Sequence, residues 1–118
     1  NDSACTWLRD NYKVDYRKEG AQEYYNSCFE LYAQWGVDFV KIDDLSRPYH
    51  TAEIEMIRKA IDKCGRPIVL SISPGETPLD RVEHVKGHAN MWRTVDDFWP
   101  RNSGKSSIMK CFTGLFCV

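Results

Sequence analysis

The sequence predicts an α/β protein built on a parallel sheet, and three observations carry that prediction. Helical and strand patterns alternate along the chain, the strand patterns recur at intervals of roughly 20 to 30 residues, and polar residues gather where each strand pattern ends.

The elements follow in order. Glu19–Trp35 carries Tyr24, Tyr25, Cys28, Phe29, Leu31, Tyr32 and Trp35 at helical spacing, and Gly36 supplies a C-terminal stop. Val37–Ile42 is a short apolar run rich in β-branched residues, which suits a strand buried on both faces. Asp43 and Asp44 end it. Thr51–Cys64 places Ala52, Ile54, Ile57, Ala60 and Ile61 on one helical face, closed by Gly65 with Pro67 just beyond. Ile68–Ile72 reads as a second buried strand ending in the turn Ser73-Pro74-Gly75. A short helix over Pro78–Lys86 and a third strand over Ala89–Thr94 come next. A last helix is expected where Ile108, Met109, Cys111, Phe112, Leu115 and Phe116 recur.

Each βα unit is close in length to one eighth of a barrel of about 250 residues. Three units do not close a barrel, so the chain is either a small open sheet or part of a larger barrel. An open sheet calls for a Gly-rich phosphate loop at its switch point, and the sequence has none.

Composition narrows the function. At 118 residues, 42% hydrophobic and 28% charged, residues 1–118 fit a single soluble domain without repeats or linkers. Sixteen Lys and Arg against 17 Asp and Glu leave no field to attract phosphate backbones or anionic lipid, so neither nucleic acid nor membrane is the expected partner. No signal segment opens the chain, and that of an exported parent would lie outside it. The five cysteines (Cys5, Cys28, Cys64, Cys111, Cys117) form no CxxC pair and no zinc spacing. Each reads as a small buried apolar residue. His50, His84 and His88 show no metal-ligand spacing backed by a carboxylate cluster, so no metal or other cofactor is expected.

In parallel α/β sheets functional groups collect at the carboxyl ends of the strands. Here these ends carry Lys41 and Asp43, then Ser71 and Ser73, then Arg93, Asp96 and Asp97. Side chains alternate along a strand, so Lys41 and Asp43 share a face, and the ammonium favours an ionised Asp43, as a nucleophile requires. Asp97 lies two strands away. Two opposed acids suit glycoside hydrolysis, in which retaining enzymes hold their carboxyls about 5 Å apart. Acids after strands also cap helices or sit solvated in loops. The spacing alone leaves both readings open.

The segments WGVDFVKIDD at 35–44, RPIVLSISPG at 66–75 and ANMWRTVDDFW at 89–99 resemble glycoside hydrolase family 27, the α-galactosidase family. The resemblance runs in order from about Cys5 to Trp99. It implies a partial (β/α)8 TIM barrel covering about strands four to six, with the remaining barrel and a C-terminal β-sandwich in the parent protein. It implies a retaining, cofactor-free hydrolase of terminal α-galactoside-like sugars, secreted or periplasmic. Three strands with uncovered edges are expected to be inactive as an isolated fragment. Residue by residue, it makes Asp43 the nucleophile and Asp97, four residues after Arg93, the acid/base, with Asp96 as runner-up. Lys41, Arg93 and Ser73 would bind the sugar, and Trp7 is a weaker pocket candidate.

Three departures stand out. Many α-galactosidases have a glutamate reading the sugar 2-hydroxyl where this chain has Ser73, while relatives acting on N-acetylgalactosamine have a serine. Leu45 occupies the position of a family cysteine, which removes that disulfide. The strand-two aspartates that bind the 4- and 6-hydroxyls would precede Asn1. Trp35 and Phe39 are expected in the core, Trp92 should point away from Arg93, and Asp44 should face opposite to Asp43 if the strand persists. Two other readings remain: a barrel enzyme in which Asp43, Asp44, Asp96 and Asp97 hold Mg²⁺, marked by chelator sensitivity, and a non-catalytic sugar-binding fragment.

Overall fold

The computed structural model describes residues 12–73 and 75–96, and all structural statements concern these. The expected last helix, Asp97, Trp7 and Trp99 lie outside them. The chain runs α1 (Ala21–Gln34), β1 (Phe39–Ile42), α2 (Thr51–Cys64), β2 (Val69–Ile72), a 3₁₀ turn (Leu79–Arg81), α3 (Val82–His88) and β3 (Met91–Trp92). The three strands are parallel in the order β1-β2-β3. Lys41 pairs with Ser71, Ile42 with Ile72, and Ile72 with Trp92.

Both long helices stop where glycine permits a left-handed residue. Gly36 has φ 74°, and its N–H and that of Val37 close on the carbonyls of Ala33 and Tyr32. That is the Schellman pattern, which satisfies carbonyls the helix itself leaves unpaired. At the amino-terminal end of the sheet, Arg66 donates to the carbonyls of Val37 (3.0 Å) and Gly36 (3.1 Å) and pairs with Asp38, tying the approach to β1 to that of β2.

The helices cover one face of the sheet. Ile54, Ile57, Ala60 and Ile61 of α2 pack with Leu70 and Ile72 of β2, Phe29 of α1 and Val85 of α3. Trp92 packs against this cluster. Leu45, where the family places a cysteine, is buried among these residues. Leu70 is fully buried, and its peptide exchanges hydrogen bonds with Asn90. Leu70→Ala is therefore expected to lower stability by about 2–5 kcal/mol, seen as a lower urea midpoint at unchanged slope.

The opposite face is bare. Phe39 is 50% and Val69 38% exposed, so these strands are not buried on both faces as their composition predicts. Trp35, expected in the core, is 67% exposed because it sits on the C-cap of α1, past the part of the helix that meets the sheet.

Candidate active site

The register of β1 against β2 continues one step past both strands. Ser73 N–H donates to the Ile42 carbonyl at 3.1 Å, and Leu45 N–H donates to the Ser73 carbonyl at 2.9 Å. This brings the two side chains at the strand ends together: Ser73 Oγ donates to Asp43 Oδ1 at 2.8 Å. Ser73 is buried while Asp43 remains exposed, so the hydroxyl anchors a carboxylate that still faces open space. Lys41 is exposed on the bare face two residues before Asp43, as the strand alternation predicts.

Asp44 departs from expectation. The strand ends at Ile42, and Asp44 adopts φ 64°, a left-handed conformation that Asp tolerates better than most residues. Alternation therefore stops, and Asp43 and Asp44 both line a cavity of about 360 Å³ between β1, α1 and α2. Tyr25 and Glu53 line it too. Burial, reinforced by the Glu53 carboxylate, pushes the Tyr25 phenol up to about 12, so it stays neutral at physiological pH.

The loop after β1 also supplies a residue that sequence reasoning missed. Arg47 Nη2 donates to Asp96 Oδ2 at 2.9 Å, and its Nη1 reaches Glu76 Oε2 at 3.4 Å. One guanidinium thus joins the loops that follow all three strands. Its planar fork suits such bridging, and a lysine would offer only a point charge. Gly75 makes room for it: a Cβ there would lie 3.1 Å from Arg47 Cζ, and φ is +73°. Thr77 N–H donates to the Arg93 carbonyl at 2.9 Å, linking the loop after β2 to the end of β3. Of the predicted site, Asp43 and Ser73 are in contact, Lys41 shares their face, and Arg93 stands at the end of β3. The two remaining site residues, Asp97 and Trp7, fall outside the described residues.

Residues 13–114 match the family described as alpha galactosidase A. The chain belongs to that family. As a glycoside hydrolase family 27 chain it is similar to the crystal structure of a β-L-arabinopyranosidase from Geobacillus stearothermophilus, with 62% identity and a TM-score of 0.78. That likeness covers 85% of this chain and 24% of the other. A variant of the same arabinopyranosidase, solved in complex with arabinose, matches equally well. Alpha-galactosidase 3 of Hypocrea jecorina is 37% identical over 73 residues, covering 53% of this chain and 12% of its own length. Alpha-galactosidase A of Cellvibrio japonicus is also 37% identical over 73 residues, covering 58% and 17%. The chain thus spans about a quarter of these solved family members and less than a fifth of the two α-galactosidases.

Proposed function

We propose that this chain is the central catalytic segment of a retaining glycoside hydrolase, about strands four to six of a (β/α)8 barrel. The hydrogen bond from Ser73 Oγ to Asp43 Oδ1 carries this reading. It fixes one carboxylate oxygen and leaves the other to attack, at a strand end where barrel enzymes keep their active sites. The bare sheet face would line the barrel interior.

The reaction takes two displacements. Asp43 attacks the anomeric carbon while Asp97 gives its proton to the departing glycosidic oxygen, which leaves a glycosyl ester on Asp43. Asp97 then takes a proton from water, whose oxygen attacks the same carbon and releases Asp43. Two inversions retain the anomeric configuration. Lys41 and Arg93 contact sugar hydroxyls. Ser73, buried and giving its hydrogen to Asp43, serves the sugar indirectly by holding the nucleophile in place.

The preferred sugars are terminal pyranosides of galacto configuration. β-L-Arabinopyranose and α-D-galactopyranose share their ring stereochemistry and differ by the hydroxymethyl group on C5. The arabinopyranosidase and the α-galactosidases therefore ask the same of a nucleophile. Turnover needs the rest of the barrel, because Phe39 and Val69 lie bare in this chain.

The test uses the full-length protein carrying this segment. It is expected to hydrolyse an aryl α-D-galactopyranoside, an aryl β-L-arabinopyranoside or both. Proton NMR of the first-formed sugar, read before mutarotation, should show the substrate's own anomer. No hydrolysis of either glycoside, or release of the opposite anomer, would overturn the proposal.

A further inference from the structure

On the helical side of the sheet, three metal-ligating side chains that the hydrolytic mechanism does not use converge. Glu55 projects from α2, and His84 and His88 lie one turn apart on α3, with their ligand atoms all within 4.8 Å of one another. We propose that these three residues form a binding site for a divalent transition metal, zinc foremost, independent of the hydrolytic site.

The hydrogen bonds around the rings support ligation. His88 Nδ1 lies 2.7 Å from the His84 carbonyl. A carbonyl only accepts, so Nδ1 carries the hydrogen, and neutral His88 therefore presents a bare lone pair at Nε2. His84 Nδ1 lies 2.7 Å from the Tyr49 hydroxyl, and its Nε2 lies 3.3 Å from Glu55 Oε1. Without metal, one hydrogen sits between Nε2 and the carboxylate while Tyr49 donates to Nδ1. On metal binding the neutral ring takes its other tautomer, its one hydrogen passing by way of water from Nε2 to Nδ1, and Tyr49 keeps its own hydrogen and accepts from Nδ1. An outer partner that holds the tautomer is what ligating histidines ordinarily have.

The spacing fits as well. A tetrahedral zinc ion with ligands at about 2.0–2.1 Å has ligand-to-ligand edges of about 3.4 Å, close to the separation between His84 Nε2 and Glu55 Oε1. The histidine rings are stacked at 4.1 Å and 13°, so one must tilt for both lone pairs to meet. Two histidines and one carboxylate leave a fourth position for water. Because Tyr49 belongs to the loop that also holds Arg47, a bound ion would fasten α2 and α3 to that loop.

The full-length protein, stripped of metal, is titrated with Zn²⁺ alone by calorimetry and with Co²⁺ by visible absorption. One Zn²⁺ per chain is expected, with the intense visible bands of four-coordinate cobalt, and His88→Gln and Glu55→Gln should each weaken binding at least tenfold. Saturating zinc should raise the unfolding temperature of the wild type but not of either variant. If one variant fails to fold, the other and the wild-type cobalt spectrum still decide. No uptake at micromolar zinc, a six-coordinate cobalt spectrum, or equal uptake by a folded variant would overturn the site and leave a hydrogen-bonded His–Glu–Tyr cluster. None of these outcomes bears on hydrolysis.

Discussion

Replacing Asp43 with alanine in the full-length protein is expected to lower kcat on an aryl α-galactoside or β-arabinopyranoside by about four to six orders of magnitude, the scale lost with the nucleophile of a covalent mechanism. Without the carboxylate no glycosyl ester forms, and the positive charge developing at the anomeric carbon has no partner on that face of the ring. The fold should survive. Asp43 is exposed, and its loss strands one buried hydroxyl, that of Ser73, at a cost of about 1–3 kcal/mol. The vacated space admits a small anion, so azide should restore turnover and release a glycosyl azide of inverted anomeric configuration. Asp44→Asn is the companion variant, since Asn also tolerates the left-handed φ of 64° at that position. Its activity should stay within about tenfold of wild type, because it leaves the attacking carboxylate in place. Wild-type activity in Asp43→Ala removes the assignment, and a collapse confined to Asp44→Asn moves it one residue along.

The parts of this fold that were legible in the sequence are those fixed by local rules. The helix expected over Thr51–Cys64 has those bounds in the structure, because an apolar stripe of uniform period ends at a glycine that takes a left-handed conformation. The contact between strand ends was half legible. Alternation put Lys41 and Asp43 on one face, but the hydrogen bond from Ser73 depends on how β1 registers against β2, which periodicity does not specify. What needs three segments in space was not legible. Arg47 has no motif around it, and its role appears only when the loops holding Glu76 and Asp96 close around one guanidinium. The convergence of Glu55, His84 and His88 was not legible for the same reason. His84 and His88 stand four apart in the sequence, but Glu55 joins them only through the packing of α2 on α3. The misplacement of Trp35 and Phe39 has a different origin. Apolar character marks a residue that some surface will cover, and it does not say whether this stretch of chain provides the cover.

The second large effect is expected at Asp97, and it should depend on the leaving group. With a disaccharide, whose departing alkoxide is a strong base, Asp97→Ala should lower kcat/KM by about two to four orders of magnitude, the usual worth of general acid catalysis. With an aryl glycoside of an acidic phenol, the first step needs no proton and should proceed, while the second stalls for want of a base to activate water. The variant should then release a burst of about one equivalent of phenol per site and turn over slowly afterwards. Azide attacks without deprotonation, so it should lift the slow phase and give a glycosyl azide of retained configuration, opposite to that from Asp43→Ala. The neighbouring acid provides the contrast. Asp96 gives its carboxylate to Arg47 at 2.9 Å, and serving as an acid would first require breaking that pair. Asp96→Asn should therefore loosen the loops and cost at most about tenfold, the same for both substrates, because the tie acts on geometry and not on the proton. If the dependence on leaving group appears in Asp96→Asn and is absent from Asp97→Ala, the proton comes from position 96, and the guanidinium of Arg47 must then move away before each turnover.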